Sequence, residues 1–249
     1  MPRFGVILVA AGRSSRFADP NYKKPFAPLG GRPVWLHSAE KFCDREDVAK
    51  VVVVISPEDR EEFLDKFSAN LAFMGMSWAE GGAERADSVE AGFAKLEGSG
   101  EYIAIHDAAR PCLASNWIDR VFAAAVSDGA AILGTPVVST LKRVAPGGRI
   151  QETVDRTGLW EAQTPQVFRR DLLEQAFALR RATPSLASTD EACLLEALGA
   201  PVTVVEGSPI NLKITSRDDL RLAEHALKAL PKPKIPGPNH PFAGDDLWR

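Results

Sequence analysis

Five short runs of apolar, largely β-branched residues recur along the chain, with amphipathic segments between them. The runs are almost continuous in hydrophobicity, which is typical of strands buried on both faces of a parallel sheet. They therefore predict a central sheet that is covered on both sides. The runs cover residues 4–9, 51–55, 102–106, 130–133 and 202–205.

Seven other segments carry apolar residues at helical spacing. In the second of them, Ser56 is the predicted N-cap, because Pro57 and two acidic residues would occupy the first turn. Strands that alternate with helices favour an α/β layered fold with right-handed crossovers. The predicted helices cover residues 33–42, 57–67, 87–96, 117–126, 171–179, 190–198 and 218–227.

Two segments depart from this alternation. Residues 140–144 and 149–154 flank an Ala-Pro-Gly-Gly turn and predict a polar hairpin. Such a hairpin cannot bury a face by itself, so we expect it to pack on its own domain or on a partner subunit. Residues 230–249 hold five of the 18 prolines and predict an extended or disordered tail. Residues 1–229 then form one domain.

The overall charge excludes one class of protein. The 249 residues include 30 Lys and Arg against 33 Asp and Glu, a net charge of −3. This excludes binding of nucleic acid or anionic membrane through bulk positive charge. The three cysteines are scattered, without the spacing of a disulfide framework or a zinc cluster, and indicate a reducing cytoplasm. The N-terminal apolar run is shorter than a secretory core, and no run reaches the ~20 residues of a membrane span.

The first strand leads into a small-residue loop with basic residues around it. The sequence there is VILVAAGRSSR, and residues 1–41 contain seven Lys and Arg against two acids. Small residues allow backbone N–H groups to approach a phosphate, so this loop predicts a polyphosphate site rather than a solvated basic face. It has neither the spacing of a Walker loop nor the three glycines of a dinucleotide fingerprint.

Two further motifs lie where predicted strands end. GGAERADS at 81–88 places glycines before a helix, where backbone donors suit a base or a ribose. HDAARP at 106–111 places Asp107 at the carboxyl end of a buried strand, facing ligand, where it could hold a metal or a substrate hydroxyl. His106 is interpreted as structural rather than catalytic, because no partner is visible for it.

The order of these motifs resembles one enzyme family. The loop AAG followed by KPFAPLGGRP resembles nucleotidyltransferases. Segments 6–16, 81–88, 106–111, 140–168, 189–192 and 211–215 occur in the order of the 2-C-methyl-D-erythritol 4-phosphate cytidylyltransferases of non-mevalonate isoprenoid synthesis. HDAARP together with the LW…QTPQ sequence at 159–166 makes this resemblance specific.

The resemblance implies a fold, a set of ligands and a role for each matching position. The implied fold is a Rossmann-like three-layer α/β/α nucleotidyltransferase fold with a protruding β-arm, about residues 137–160, used for homodimerisation. CTP would bind with Mg²⁺ held mainly by its phosphates, and Arg156 on the arm would reach the neighbouring subunit's site. The implied CTP-binding residues are Ala10, Ala11, Gly12, Gly82, Arg85 and Ser88; the catalytic cations are Arg16, Lys24, Arg156 and Lys213; the acceptor-binding residues are Asp107, Arg110, Thr140, Thr164 and Thr189.

Two positions depart from the family pattern. Ser14 stands where the family loop commonly has a second glycine, and Ala83 stands where an acidic residue is frequent. The alternative readings are a ribitol 5-phosphate cytidylyltransferase, a sugar 1-phosphate nucleotidyltransferase and a non-catalytic nucleotide-sensing protein.

Overall fold

A mostly parallel β-sheet runs through the structure, which is a computed structural model describing residues 2–12, 17, 23–183, 185–186 and 188–231. The strands of this part of the chain are β1 (Phe4–Val9), β2 (Pro28–Leu29), β3 (Arg32–Pro33), β4 (Val48–Ile55), β5 (Ser77–Glu80), β6 (Tyr102–Asp107), β7 (Ala130–Pro136), β8 (Leu141–Val144), β9 (Ile150–Val154), β10 (Trp160–Arg169) and β11 (Thr203–Glu206). Seven of them form the main sheet in the order β11-β7-β10-β6-β1-β4-β5. β10 runs antiparallel to β6 and β7, and every other pair in this sheet is parallel.

Helices cover both faces of the sheet. They are α1 (Val34–Cys43), α2 (Arg60–Phe73), α3 (Arg85–Lys95), α4 (Ser115–Asp128), α5 (Arg170–Ala182), α6 (Ala192–Ala197) and α7 (Arg217–Ala229). Helices α1, α2 and α4 share one apolar cluster with the sheet, and α3, α5 and α6 share another. Helix α7 packs against the small β2–β3 ladder. The predicted α/β fold with a mostly parallel sheet is confirmed.

The packing of β1 on both faces explains why its sequence is apolar at every position. Val6 and Leu8 pack into the cluster that contains Trp35 of α1, whereas Ile7 packs into the cluster that contains Val89 of α3. Successive side chains of a strand point to opposite faces, so a strand covered on both sides needs apolar residues throughout. Each such side chain contributes about 1.5–3 kcal/mol when fully buried.

Strand β10 is absent from the sequence-based prediction. Its inner half is buried, yet it carries Gln163 and Gln166 there and contains Pro165, which argues against a central strand. Its pairing with β7 is irregular between Ala162 and Gln166, and this irregularity accommodates the proline. β5 was also missed, because it is a four-residue strand at the edge of the sheet and is only partly buried.

The predicted start of the second helix is wrong. Residues Pro57–Asp59 form a 3-10 turn, and α2 begins only at Arg60. The side chain of Ser56 makes no capping hydrogen bond, although its carbonyl accepts the N–H of Asp59 at 2.9 Å. The sixth helix is also shorter than predicted, because Asp190 lies before its start and accepts the N–H of Cys193 at 3.1 Å.

The predicted hairpin is present and stands apart from the main sheet. β8 and β9 pair only with each other, and Val144 and Ile150 on them are 51% and 63% exposed. Toward the C-terminus, α7 ends at Ala229. The boundary between domain and tail at this point stays a prediction. Residues 232–249, almost all of the predicted tail, lie outside the described residues. No helix in the described ranges has the length and apolar character needed to cross a bilayer.

Candidate active site

A cavity of about 410 Å³ opens at the carboxyl ends of β1 and β6. Residues 10–12 follow β1 and form one side of the cavity. Residues 82–84, between β5 and α3, and Arg85, the first residue of α3, form another side. Asp107 closes β6 and reaches the cavity, together with Lys24 and Lys213 from two other loops. The topology therefore brings five separate segments of the chain to one edge of the sheet.

The first loop is anchored by its backbone. The N–H of Ala10 donates to the carbonyl of Val54 at 2.8 Å, which extends the β1–β4 pairing by one residue into the loop. Gly81 of the second loop lies so close to this first loop that a Cβ on Gly81 would stand 2.7 Å from the Cβ of Ala11. This close approach requires glycine and fixes the two loops against each other. Arg16, the predicted catalytic cation of this loop, lies outside the described residues.

The second loop is organised by the start of α3. Ser88 accepts the N–H of Gly82 at 3.2 Å and donates to the carbonyl of Glu84 at 3.1 Å. Asp87 accepts the N–H of Glu84 at 3.0 Å, which forms a capping box. The predicted CTP-binding residues Gly82, Arg85 and Ser88 all line the cavity.

Asp107 is the main anionic group of the site. Its side chain is only 9% exposed, and Lys213 Nζ lies 2.8 Å from Oδ2. Arg85 and Arg110 reach the same carboxylate at 3.5 and 3.6 Å. Burial alone would raise the pKa of Asp107, but Arg85, Lys213 and Arg110 outweigh burial and hold that pKa well below its usual range. Asp107 is therefore ionised and orients three cations.

A second buried carboxylate supports one of those cations. Glu191 is fully buried, and Nη1 of Arg85 lies 2.7 and 2.5 Å from its two oxygens. Arg85 therefore bridges Glu191 and Asp107. The sequence-based prediction took only Thr189 from this segment. The acidic pair that follows Thr189 in the STDEA sequence, 188–192, was the available signal.

His106 is structural, as predicted. It is fully buried, and its Nε2 donates to the carbonyl of Arg110 at 3.1 Å. Its Nδ1 then accepts from the hydroxyl of Thr164 at 3.0 Å. Desolvation lowers the pKa of His106 to about 4, so the imidazole is neutral at pH 7.

Thr164 and Arg110 lie beside Asp107 but do not line the cavity. The Thr164 hydroxyl also accepts the backbone N–H of Asp107 at 3.1 Å, so both of its hydrogen-bonding roles are used within the protein. Arg110 donates from Nη1 to the carbonyl of Asn211 at 2.8 Å. These two predicted acceptor-binding residues hold Asp107 and its neighbours in place.

Asn211 attaches the Lys213 loop to the sheet, and the sequence-based prediction did not select it. Its side chain is fully buried and donates to the Thr164 carbonyl at 2.9 Å and to Gln163 Oε1 at 3.2 Å. The N–H of Ile214 donates to the carbonyl of Ala109 at 2.8 Å. Lys213 is thus fixed on both sides along the chain.

Three predicted residues lie away from the cavity. Thr140 and Arg156 are exposed and flank the hairpin, where the Arg156 guanidinium donates to the carbonyl of Val138. Thr189 is exposed, beside the buried Glu191. One subunit therefore gathers Lys24, Lys213 and the proposed CTP-binding residues, but not the residues of the hairpin.

A small-residue loop and cations around a strand-end carboxylate are the groups that a nucleotidyltransferase needs to hold two phosphate-bearing substrates. The chain belongs to the IspD family, 2-C-methyl-D-erythritol 4-phosphate cytidylyltransferase, whose sequence profile matches residues 4–229. It is therefore an enzyme, a cytidylyltransferase, and the resemblance drawn from its motifs is confirmed.

Named relatives agree with this assignment. The chain is 40% identical over 233 residues to the 2-C-methyl-D-erythritol 4-phosphate cytidylyltransferase of Rhodopirellula baltica, covering 89% of this chain and 93% of that protein. It is 43% identical over 229 residues to a bifunctional enzyme IspD/IspF of Rhodospirillum rubrum, covering 92% of this chain. The match spans only 58% of the bifunctional protein.

Solved structures share the fold. A crystal structure of 4-diphosphocytidyl-2C-methyl-D-erythritol synthase superposes with a TM-score of 0.76 at 35% identity, covering 91% of this chain and 99% of that one. The 2-C-methyl-D-erythritol 4-phosphate cytidylyltransferase from Thermus thermophilus gives a TM-score of 0.70 at 32% identity, covering 92% of this chain and 100% of that one.

Proposed function

We propose that the chain transfers the cytidylyl group of CTP to 2-C-methyl-D-erythritol 4-phosphate, giving 4-diphosphocytidyl-2-C-methyl-D-erythritol and pyrophosphate. One observation carries the proposal: Lys213, Arg85 and Lys24 line the same cavity as the small-residue loop. Two polyanions that must react side by side need such a concentration of positive charge. The family assignment supplies the nucleotide and the acceptor.

The reaction requires placement more than proton transfer. The attacking group is a phosphate monoester whose second pKa is ~6, so it is mostly dianionic at pH 7 and needs no general base. It attacks the α-phosphorus of CTP, a new P–O bond forms, and the bond to pyrophosphate breaks. The enzyme contributes in-line positioning and neutralisation of the charge that develops.

The proposed roles divide the cavity into two parts. Residues 10–12 and Gly82, Arg85 and Ser88 would hold CTP, with Lys24 and Arg16 stabilising the transition state and the leaving pyrophosphate. Lys213, oriented by Asp107, would hold the attacking phosphate. An ammonium group has three N–H donors, so pairing with Asp107 leaves Lys213 further donors for the phosphate.

The residues of this site fit a divalent cation that binds together with the nucleotide. Within the described ranges, no three or more His, Cys, Asp and Glu side chains are grouped to hold a metal ion. Asp107, the carboxylate at the end of β6, already faces three cations. We therefore propose that Mg²⁺ would bind mainly to the CTP phosphates, where it would neutralise part of their charge.

The hairpin supports a homodimer with shared sites. Val138, Val144 and Ile150 on and beside it are each more than half exposed, and exposed apolar side chains on a projecting segment favour a protein partner. A second copy of the chain is the proposed partner, with Arg156 and Thr140 reaching its acceptor site. The three free cysteines are consistent with a cytoplasmic enzyme, which we also propose.

The reaction is tested by offering alternative acceptors. The chain is incubated with CTP, Mg²⁺ and one of 2-C-methyl-D-erythritol 4-phosphate, ribitol 5-phosphate or glucose 1-phosphate, and pyrophosphate release is followed. Only the first acceptor is expected to support rapid release, and EDTA should abolish it until Mg²⁺ is restored. Faster release with ribitol 5-phosphate or glucose 1-phosphate would move the assignment to that acceptor. CTP binding without release from any acceptor would indicate a nucleotide sensor.

The role of Lys24 is tested against its neighbour. Lys24→Ala is expected to lower kcat by about 100- to 1,000-fold, because a cation placed at the developing charge is lost. Lys23→Ala is the matched control: Lys23 pairs with Asp59 and Glu58 rather than lining the cavity. Steady-state pyrophosphate release measures both variants. Near-normal turnover by Lys24→Ala, or a larger loss with Lys23→Ala, contradicts the assignment.

The shared site is tested by complementation. Arg156→Ala and Lys213→Ala are each expected to be nearly inactive as homodimers. After subunit exchange at equal concentrations, half of the dimers combine both variants and one of their two sites is intact, so about a quarter of wild-type activity should return. If the mixture stays as inactive as its components, Arg156 does not act in the partner's site.

A further inference from the structure

Arg180 of α5 joins the first two turns of α3 through three carboxylates. Its Nη2 donates to Asp87 at 2.7 Å and to Glu84 at 3.0 Å, and its Nη1 donates to Glu90 at 3.1 Å. The Arg180 side chain is only 16% exposed, so these bonds are partly shielded from water. One guanidinium thus connects α5 to the beginning of α3.

Two of the carboxylates that Arg180 binds, Glu84 and Asp87, form the capping box at the start of α3. Asp87 uses one oxygen to accept the N–H of Glu84 and the other to bind Arg180. The N–H of Glu84 and then Arg180 lower the pKa of Asp87, which keeps it ionised. Loss of Arg180 would leave three carboxylates close together without their common counter-ion, and they would repel each other.

The start of α3 is also a wall of the nucleotide cavity. Gly82, Ala83, Glu84 and Ser88 line the cavity. A Cβ at Gly82 would overlap the Cβ of Asp87, so the loop lies directly on that side chain. A shift of Asp87 therefore moves the loop.

The charge of Glu84 gives Arg180 a second effect on the same cavity. Glu84 is 71% exposed and lines the same cavity, so its negative charge would act on an anionic ligand bound there. Arg180 compensates its charge and reduces repulsion of the ligand. Gly82 and Ala83 have no polar side-chain group, so recognition at these two positions depends on backbone groups and hence on where the loop is held.

We propose that Arg180 is a positioning residue for the nucleotide: from α5 it holds the 82–84 loop and neutralises Glu84, so that the cavity binds CTP. The inference rests on the proposed function, because it assigns this cavity to CTP. Arg180 does not line the cavity itself, so its proposed effect on the nucleotide passes through Glu84 and Asp87.

The test is a comparison of Arg180→Gln with Arg181→Gln. Arg181 is the next residue on α5 and binds only Glu90 among these carboxylates, at 2.8 Å. Arg180→Gln is expected to raise KM for CTP and the Kd for CTP measured by equilibrium dialysis by about tenfold. kcat and KM for the acceptor should change little. Arg181→Gln should leave all of these constants near the wild-type values.

Arg180→Lys separates charge from geometry. A lysine keeps the positive charge but cannot bind three carboxylates in one plane, so it should restore CTP affinity only in part. An unchanged Kd for CTP in Arg180→Gln, or an equal rise of KM for both substrates, overturns the proposal. Failure of both Arg180 variants to fold overturns it as well, since Arg180 would then serve stability alone. If the wild-type chain itself does not bind CTP, the proposed function fails rather than this inference.

Discussion

The rest of the site depends on the ion pairs that the Asp107 carboxylate makes with three cations. This carboxylate is a charge at the buried end of a central strand, and a buried charge costs several kcal/mol unless it is paired. Arg85, Arg110 and Lys213 supply that pairing from three different segments. One anion thus requires α3, the loop after β6 and the loop before α7 to meet at one place.

The groups behind this carboxylate keep its cations in position. Glu191 holds Arg85 from one side, and Asn211 fastens the Lys213 loop through the Thr164 carbonyl. His106 is neutral and buried, and it accepts a hydrogen bond from the hydroxyl of Thr164, which in turn accepts the backbone N–H of Asp107. Glu191 contacts a cation directly, whereas Asn211 and His106 hold the backbone and the Thr164 hydroxyl around Asp107. Among the described residues, the cavity lining holds three cations, Lys24, Arg85 and Lys213, against the two carboxylates of Glu84 and Asp107.

The sequence predicted what depends on hydrophobic pattern and missed what depends on tertiary pairing. β1 and its neighbours were predictable because strands covered on both faces must be apolar. β10 was not, because Gln163 and Gln166 fill polar roles inside the sheet and Pro165 sits at an irregularity. In the site, Asp107 could be selected from its place at a strand end, but Glu191 and Asn211 act through partners far away in the chain.

The measurement that tests the central role of Asp107 most directly is kcat/KM for the acceptor in Asp107→Asn. Asparagine has nearly the same shape but no charge, so Lys213 and Arg110 lose the group that orients them. The account predicts a fall of about 100-fold in kcat/KM for 2-C-methyl-D-erythritol 4-phosphate in a variant whose fold is intact by circular dichroism. A folded Asp107→Asn variant with kcat/KM close to that of the wild-type enzyme would contradict it.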